Sequence, residues 1–302
     1  MKTLIVKNLN KPEKLTNYIK NIYPSIVNSM LFKALRNKDI KINGKRTNQD
    51  ILIKNGDTLD IFISDEFLYN LPKKIDIIFE DDNILVVFKP QGLLTNNEEN
   101  DEPSLESIVR STINDKAVLS HRLDRNTSGL VIFTKNEISE NEIFDAFKNG
   151  YINKYYLAFV ANSKFKNNKE ILTQYITYDK QNEYSKILNN QISGSQKIIT
   201  EYEIIKKDNL LDYAVLKVKI HTGKMHQIRA VLANLSHPII GDSKYGKNEI
   251  NKKFKIYKQL LFAYNYSFSF PKDYKLSYLN KINVELNNNY IDKCIGSDII
   301  GR

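Results

Sequence analysis

One aspartate in the middle of the chain stands between two arginines, in the order Arg122, Asp124 and Arg125. Guanidinium groups on both sides of a carboxylate favour its ionised form, which suits a nucleophile or an electrostatic stabiliser better than a general acid. The same spacing also occurs in surface ion pairs at turns, which contribute little to stability. Asp124 is therefore a candidate catalytic residue, with a surface ion pair as the alternative.

The segment that follows Asp124 predicts a turn and then a strand. Residues 126–129 read Asn-Thr-Ser-Gly, and residues 130–133 read Leu-Val-Ile-Phe, an apolar run typical of a buried strand. We expect Thr127 and Gly129 to shape this loop through side-chain hydrogen bonds and an unusual backbone turn. Asp124 is thus predicted to lie in a loop that leads into the core.

Two later segments carry polar side chains that could act with Asp124. Residues 154–160 alternate as a strand does and include Tyr156, while Arg229 precedes the apolar helical run at 230–235. With 18 tyrosines in the chain, Tyr156 taken alone is better interpreted as a half-buried aromatic side chain on a sheet. Arg229 taken alone is equally a phosphate contact or an ion pair of the fold.

The charge balance favours an anionic partner. The 302 residues include 45 Lys and Arg against 35 Asp and Glu, which gives a net charge of +10. Nucleic acid is the commonest partner of such a chain, although genome composition alone also produces basic proteins. Residues 1–63 contain 12 basic and 5 acidic residues, a net charge of +7, so this short part carries most of the excess.

Several classes of protein are disfavoured by what the sequence lacks. The only cysteine, Cys294, permits neither a disulfide framework nor a cysteine-based zinc site. The four histidines form no motif with an acidic partner at metal-ligand spacing, so we expect no metal. The first apolar run is too short for a signal peptide, and no stretch approaches membrane-spanning length. We therefore expect a cytoplasmic protein without membrane contact, and a monomer.

The chain is predicted to divide into two domains. Residues 1–63 combine helical periodicity with strands and tight Asn-Gly turns. Residues 64–74 lose this periodicity and contain Pro72, which predicts a linker before the second domain at 75–302. The second domain is predicted to contain strands at 75–79, 84–88, 130–133, 154–160, 198–205, 213–220 and 260–270 and helices at 104–113, 138–147 and 230–235.

The motifs, taken in order, resemble those of the RluA-type pseudouridine synthases, which rearrange uridine in RNA. The resemblance is carried by H-R-L-D-x-x-T-S-G at 121–129, K-x-Y-x-A at 154–158, H-Q-I-R at 226–229 and G-D-x-x-Y-G at 241–246. It covers nearly the whole chain. It implies an α+β fold in which a mixed, mainly antiparallel sheet, flanked by helices, carries an RNA cleft across one face.

The resemblance also implies roles for individual residues. Asp124 matches the family's catalytic aspartate, Arg229 would pair with it, and Tyr156 would stack on the uracil and take part in proton transfer. Arg122 would enter the space that the flipped uridine leaves in the RNA stack, and a fold-stabilising pair is the alternative for this arginine. His121 would help to shape the loop around Asp124.

The chain departs from the family's pattern at three positions. Asn96 stands where the family usually has His, which puts a role for this residue in doubt. Lys224 and Met225 replace Arg and Thr in the motif T-G-R-T-H-Q-I-R. We interpret His226 and Gln227 in the same motif as structural, because a tight helix start offers them backbone partners.

Residues 1–63 resemble the small α/β RNA-binding module named after ribosomal protein S-four. The matching segments are 33–37, 40–45 and 52–57. The resemblance implies that Lys33, Arg36 and Lys45 bind RNA phosphates through shape and charge. A solvated basic face is the alternative reading of these three side chains.

The function that the resemblance implies is the isomerisation of specific uridines in RNA to pseudouridine. The reaction involves no redox change or energy input, so we expect no cofactor. Family members with such a module mostly modify ribosomal RNA, which favours large-subunit (23S) ribosomal RNA over transfer RNA. Whether the aspartate attacks the sugar, attacks the base or promotes elimination stays open. The alternative is a non-catalytic RNA-binding ribosome-assembly factor, in which Asp124, Tyr156 and Arg229 would not need to be present together.

Overall fold

The structure, a computed structural model, describes residues 1–97 and 102–295 of the chain. The chain forms two compact units. The first contains Met1–Lys74 and the described part of residues 97–103, and the second contains Ile75–Asn96 and the chain from Ser104 onward. Within the described residues, no helix has both the length and the apolar character needed to cross a membrane.

The first unit packs helices against a four-stranded antiparallel sheet. The sheet has the strand order β1-β6-β3-β4, and β2 pairs with β5 in a separate two-stranded ribbon. Apolar side chains at helical spacing, such as Leu15 and Ile19, join alternating strand residues, such as Ile40 and Ile61, in one buried core. Its elements are β1 (Lys2–Ile5), β2 (Glu13–Lys14), α1 (Leu15–Ile22), α2 (Asn28–Arg36), β3 (Ile40–Ile42), β4 (Lys45–Thr47), β5 (Leu52–Ile53), β6 (Thr58–Ile61) and α3 (Asp65–Leu68).

The segment that the sequence predicts as a linker is part of the first unit. Helix α3 lies within residues 64–74, and Leu68 at its end is fully buried in the core of this unit. A single helical turn such as α3 is too short to give a periodic signal in the sequence. The segment before Pro72 is therefore packed against the core although it has no periodicity. The unit therefore extends to Lys74.

The second unit is built on one large sheet. The strand order is β13-β12-β14-β15-β11-β16-β10-β8-β7, with β17 paired to β16 and β9 paired to β10. All pairings are antiparallel except that of β10 with β16. Its elements are β7 (Ile77–Glu80), β8 (Ile84–Lys89), α4 (Leu105–Thr112), β9 (Val118–Leu119), β10 (Ser128–Thr134), α5 (Glu137–Asn149), β11 (Ile152–Ala161), β12 (Lys169–Asp179), β13 (Tyr184–Leu188), β14 (Gln196–Asp208), β15 (Tyr213–Ile220), α6 (Gln227–Asn234), α7 (Asn248–Phe254), β16 (Leu261–Phe268), a 3-10 helix (Lys275–Lys281), β17 (Asn283–Glu285) and α8 (Asn288–Ile295).

This architecture confirms the predicted α+β fold with its mixed, mainly antiparallel sheet and flanking helices. The predicted helix signals also have the expected geometry. Ser104 caps α4 through a reciprocal capping box, and Gly150 ends α5 in the left-handed conformation with φ of 76°.

Three central strands meet where the loop of Asp124 enters the sheet. In the register of these strands, Gly129 of β10 and Tyr156 of β11 both pair with Ala263 of β16, one from each side. Gly129 has φ of 128°, and a Cβ atom there would lie 2.2 Å from the carbonyl oxygen of Ala263. Only glycine allows this close backbone approach. Gly129 therefore determines how close the Asp124 loop lies to Tyr156. The register of β11 against β16 shifts beside Tyr156, because Tyr264 of β16 is an extra residue between the partners of Tyr155 and Tyr156.

Candidate active site

A cleft of about 390 Å³ opens in the second unit beside the Asp124 loop. Its walls come from residues 94–96, from the loop at 121–127, from strand β11 and from residues 223–229 at the start of α6. Six of the seven predicted active-site residues line it: Asp124, Tyr156, Arg229, Arg122, His121 and Thr127. The seventh, Gly129, lies in β10 and is not among the residues that line the cleft. Its close backbone approach to Ala263 fixes the end of the Asp124 loop.

Asp124 is held by an arginine that lies far from it in the sequence. Nη1 of Arg229 donates a hydrogen bond of 3.0 Å to Oδ2 of Asp124, whose side chain is 21% exposed. Within the described part of the chain, the other oxygen, Oδ1 of Asp124, has no hydrogen-bond partner. The neighbours that suggested an ion pair, Arg122 and Arg125, are exposed. The carboxylate is therefore fixed at one oxygen and available at the other.

Arg229 is itself fixed by a second carboxylate. Its Nε and Nη2 donate to the two oxygens of Asp242, at 2.8 and 3.1 Å. Burial acts to raise the pKa of Asp242, but Arg229 and the backbone N–H groups of Lys244 and Tyr245 outweigh it, and the pKa is lowered on balance. Burial likewise opposes the charge on Arg229, yet the carboxylates of Asp242 and Asp124 raise the pKa of this arginine.

Tyr156 lies in the cleft with its phenol protonated. Burial raises its pKa well above 10, and the negative charge of Asp124 raises it further. Its hydroxyl has no hydrogen-bond partner among the residues that the structure describes. The ring can therefore stack on a planar ligand while the hydroxyl donates or accepts a hydrogen bond.

His121 is a neutral structural residue. The backbone N–H of Ile132 donates a hydrogen bond of 3.1 Å to its Nε2, which must therefore be the unprotonated ring nitrogen. Burial, with a smaller effect of the Lys154 charge, lowers the pKa of His121 to about 3. The imidazole packs edge-on against Phe147 and Tyr266. The side chain of His121 is therefore fixed by packing and one hydrogen bond, and it is not charged near neutral pH.

Hydrogen bonds from neighbouring segments fix the loop at both sides of Asp124. The N–H of Thr127 donates to the carbonyl of Asp124 at 3.0 Å, and Nε2 of Gln259 donates to Oγ1 of Thr127 at 2.9 Å. Oγ1 of Thr95 donates to the carbonyl of Leu123 at 2.7 Å and accepts from the N–H of the same residue at 3.1 Å. The position of the carboxylate is therefore determined by packed neighbours.

A buried lysine, which the sequence did not single out, fastens two loops together. Nζ of Lys89 donates to the carbonyl oxygens of Leu93 at 2.7 Å, Arg125 at 2.9 Å and Pro90 at 3.2 Å. Burial lowers the pKa of Lys89 to about 7, although the negative charge of Asp124 opposes this shift. Three carbonyl acceptors match the three N–H groups of an ammonium. The only available signal was the position of Lys89 before a Pro-Gly turn.

His226 lies closer to the aspartate than its structural interpretation suggested. Its Nε2 is 3.8 Å from Oδ2 of Asp124, and its Nδ1 is 3.0 Å from the hydroxyl of Tyr245. Burial lowers the pKa of His226, and Asp124 partly opposes the shift. Gln227 is structural, since its amide bonds to Ile199, Thr200, Thr222 and Lys224.

The remaining predicted residues are exposed. Arg122 lies at the surface of the cleft with its side chain in solvent. In the first unit, Lys33 and Arg36 lie on α2 and Lys45 on β4, and all three are exposed. Among the residues that the structure describes, no three His, Cys, Asp or Glu side chains are grouped so that they could hold a metal ion.

Comparison with known proteins identifies the family. A sequence model of the family described as RNA pseudouridylate synthase matches residues 83–234. A protein of Mycoplasma capricolum named as an uncharacterized RNA pseudouridine synthase is 33% identical, over 97% of this chain and 100% of its own length. The chain belongs to the RluA-type RNA pseudouridine synthases. It is an isomerase that converts uridine in RNA to pseudouridine.

Further relatives of this RNA pseudouridine synthase carry more specific names. The ribosomal large subunit pseudouridine synthase C of Rickettsia felis is 33% identical over 82% of this chain and 86% of its own length. Among solved structures, the human RNA pseudouridylate synthase domain containing 1 aligns with a TM-score of 0.60. That alignment covers 74% of this chain and 86% of the human one at 18% identity, so it supports the fold alone.

Proposed function

We propose that this pseudouridine synthase modifies large-subunit ribosomal RNA in the cytoplasm and that Asp124 is its catalytic aspartate. One observation carries the assignment of the aspartate. Oδ2 of Asp124 is held by Arg229 while Oδ1 lies unbonded in a cleft that also holds Tyr156. An ionised, oriented carboxylate with one free oxygen suits a nucleophile.

The reaction gives each of the three residues a task. Pseudouridylation breaks the bond between N1 of uracil and the ribose, turns the base and joins it again through C5. Asp124 acts on the nucleotide as the bond breaks, by attack on the sugar, by attack on the base or by promoting elimination at the ribose. Arg229 holds the carboxylate in place through its hydrogen bond to Oδ2. Tyr156 stacks on the detached uracil, and its protonated hydroxyl is available for proton transfer.

The target uridine must leave the RNA stack before it can enter the cleft. Unstacking costs a few kcal/mol, and a protein side chain in the vacated space offsets part of this cost. The exposed guanidinium of Arg122, at the surface of the cleft, suits this role. We assign Arg122 to it.

The choice of ribosomal RNA rests on two observations. Several relatives that match more than four fifths of this chain are named ribosomal large subunit pseudouridine synthases. The first unit exposes the basic side chains Lys33, Arg36 and Lys45, which suit contacts with RNA phosphates. We assign residues 1–63 to RNA binding on this basis. A non-catalytic assembly factor on the same fold is disfavoured, because the relatives that match most of this chain are named as pseudouridine synthases.

Pseudouridine mapping tests the proposal. Ribosomal RNA is taken from cells with and without the protein, treated with a carbodiimide, and read by reverse-transcription stops. We expect one or more stops in large-subunit ribosomal RNA to disappear when the protein is absent. If only a transfer RNA changes, the substrate assignment is wrong, and if no RNA changes, the assembly-factor alternative gains support.

A further inference from the structure

Lys154 places a half-buried ammonium group in the cleft without a negatively charged partner. The residue lies on β11 two positions before Tyr156, so both side chains are on the face of the sheet that lines the cleft. Among the described residues, no carboxylate lies within 4.0 Å of its Nζ, and no hydrogen-bond acceptor is bound to it. Its Nζ lies over the ring of Phe147, 5.1 Å from the centroid, a cation–π contact, and its charge also acts on the neutral His121.

The other buried cations beside the cleft are compensated. Arg229 contacts the carboxylates of Asp124 and Asp242, and Lys89 donates to three carbonyl oxygens. Lys154 has no such partner, and burial alone lowers its pKa, with no opposing effect of any carboxylate. A desolvated ammonium that the protein leaves without an anion reduces stability, so a bound anion would remove a cost that the free protein carries.

The surroundings keep space open in front of this ammonium. Gly223 stands beside Nζ, and a Cβ atom at this position would lie 3.5 Å from it, so any larger side chain would occupy that space. The α-carbons of Lys154 and Tyr156 are separated by about 6.6 Å, as for any two residues i and i+2 of a strand. Because both side chains line the same cleft, a nucleotide whose base stacks on Tyr156 brings its phosphodiesters into the cleft that holds the ammonium.

We propose that Lys154 forms a phosphate-binding subsite, in which its ammonium pairs with a phosphodiester adjacent to the target uridine and thereby positions the base against Tyr156. This rests on the proposed function, because it takes the cleft to hold a uridine of an RNA chain. Lys154 is a positioning residue here, and Asp124 carries out the chemistry.

Three variants of the full-length protein test the role of the charge. Lys154→Met removes the charge and keeps most of the volume, Lys154→Arg keeps the charge, and Lys217→Met is the matched control. Lys217 lies 4.7 Å from the ring of Tyr155 on the opposite face of the same sheet. The substrate is a synthetic RNA stem-loop that contains the uridine found by mapping, and kcat and KM are measured for each variant.

We expect Lys154→Met to raise KM about tenfold, the usual loss for a charge-assisted hydrogen bond, with a smaller change in kcat. Lys154→Arg should restore most of the affinity, and Lys217→Met should resemble the wild type. The thermal midpoint of Lys154→Met should not fall, because the substitution removes an uncompensated buried charge. A lowered midpoint with an unchanged KM would mean a structural role and would overturn the proposal.

The phosphate itself is tested by a double-mutant cycle. In two stem-loops, the phosphodiester on the 5′ or the 3′ side of the target uridine is replaced by an uncharged methylphosphonate. One of the two replacements should raise the KM of the wild-type protein by the same factor as the Lys154→Met substitution does with the unmodified RNA. With that methylphosphonate RNA, the KM of Lys154→Met should not rise further. Independent, multiplying losses, or no loss for either replacement, would overturn the proposal.

A binding measurement separates this proposal from the proposed function. Fluorescence anisotropy of a short labelled oligouridine, with and without a central methylphosphonate, requires no turnover. If the wild type is active but binds the oligouridine no more tightly than Lys154→Met does, the phosphate-binding subsite is contradicted and the proposed function is not. A wild type that modifies neither ribosomal nor transfer RNA would contradict the proposed function, and the oligouridine affinities would still decide the role of Lys154.

Discussion

The position of Asp124 is determined by a chain of two ion pairs. Arg229 binds Asp124 with one nitrogen and Asp242 with two, and the last carboxylate is completely buried. Two backbone N–H groups complete the shell of Asp242. The sequence contained each of these residues in a recognisable motif. It did not indicate that Asp242 orients Arg229, because contacts over such sequence separations depend on the fold.

The substitution Asp242→Asn should lower both the catalytic rate and the stability of the protein. The substitution leaves the buried guanidinium with one carboxylate, so we expect the free energy of unfolding to fall by roughly 3 kcal/mol. We also expect kcat to fall at least about tenfold with little change in RNA affinity, since Asp124 loses its oriented partner. Urea unfolding and single-turnover kinetics measure the two effects. Asp115→Asn, at an exposed position, is the control. Equal free energies of unfolding and equal kcat values for the two variants would contradict this account.

Lys89 predicts a pH dependence of stability. Its pKa falls from 10.5 to about 7 on folding, so between these values the unfolded chain binds a proton that the folded chain has lost. The free energy of unfolding should therefore gain a contribution that rises with pH across this window. Lys89→Met removes the contribution and should flatten the pH profile. Urea unfolding of both proteins between pH 7 and 10 tests this, and parallel profiles would refute it.

At the scale of elements, the sequence was most informative where periodicity was long and caps were clear. The strand predicted at 213–220 and the helices predicted at 104–113 and 138–147 agree with the structure, in which Ser104 and Gly150 are helix caps. The Asn- and Lys-rich residues 161–195 carry no periodic signal, yet they contain the whole of β12 and of β13. Strand β12 pairs with β13 on one side and with β14 on the other, so sheet context determines these strands instead of local hydrophobicity.

Gly129→Ala should be severely destabilising because it affects the junction of β10 and β16. The new Cβ atom would overlap the carbonyl of Ala263, and the positive φ adds strain. Together these cost roughly 2–5 kcal/mol. Gly150→Ala is the matched control, since its φ is 76° but nothing lies within 4 Å, so only the strain of about 1 kcal/mol applies. Thermal unfolding compares them, and equal losses would contradict the close-approach argument.

At the scale of the whole molecule, the charge and the chemistry lie in different units. Residues 1–63, in the first unit, carry a net charge of +7 out of the +10 of the chain, and the cleft lies in the second unit. The second unit begins at Ile75, and the first unit includes the one-turn helix that buries Leu68, a segment too short to have a periodic signature in the sequence.

Removal of three charges from the first unit tests its role in RNA binding. The full-length triple variant Lys33→Gln, Arg36→Gln, Lys45→Gln should bind large-subunit ribosomal RNA more weakly. The slope of log affinity against log salt concentration should fall by about 2 to 3, since each lost phosphate contact removes about 0.7 to 0.9. Filter binding at several salt concentrations measures the slope. Full-length Asp124→Asn should keep the wild-type slope, and an unchanged slope in the triple variant would exclude these contacts.

The most direct test of the central claim uses purified protein and ribosomal RNA from cells that lack it. Wild type, Asp124→Asn and the control Asp115→Asn are each incubated with this RNA, and new pseudouridine is mapped by carbodiimide-dependent stops. We expect the wild type and Asp115→Asn to modify the same uridine, and Asp124→Asn to bind the RNA equally well without modifying it. Pseudouridine formation by Asp124→Asn at the wild-type rate would contradict the assignment of Asp124 as the catalytic aspartate.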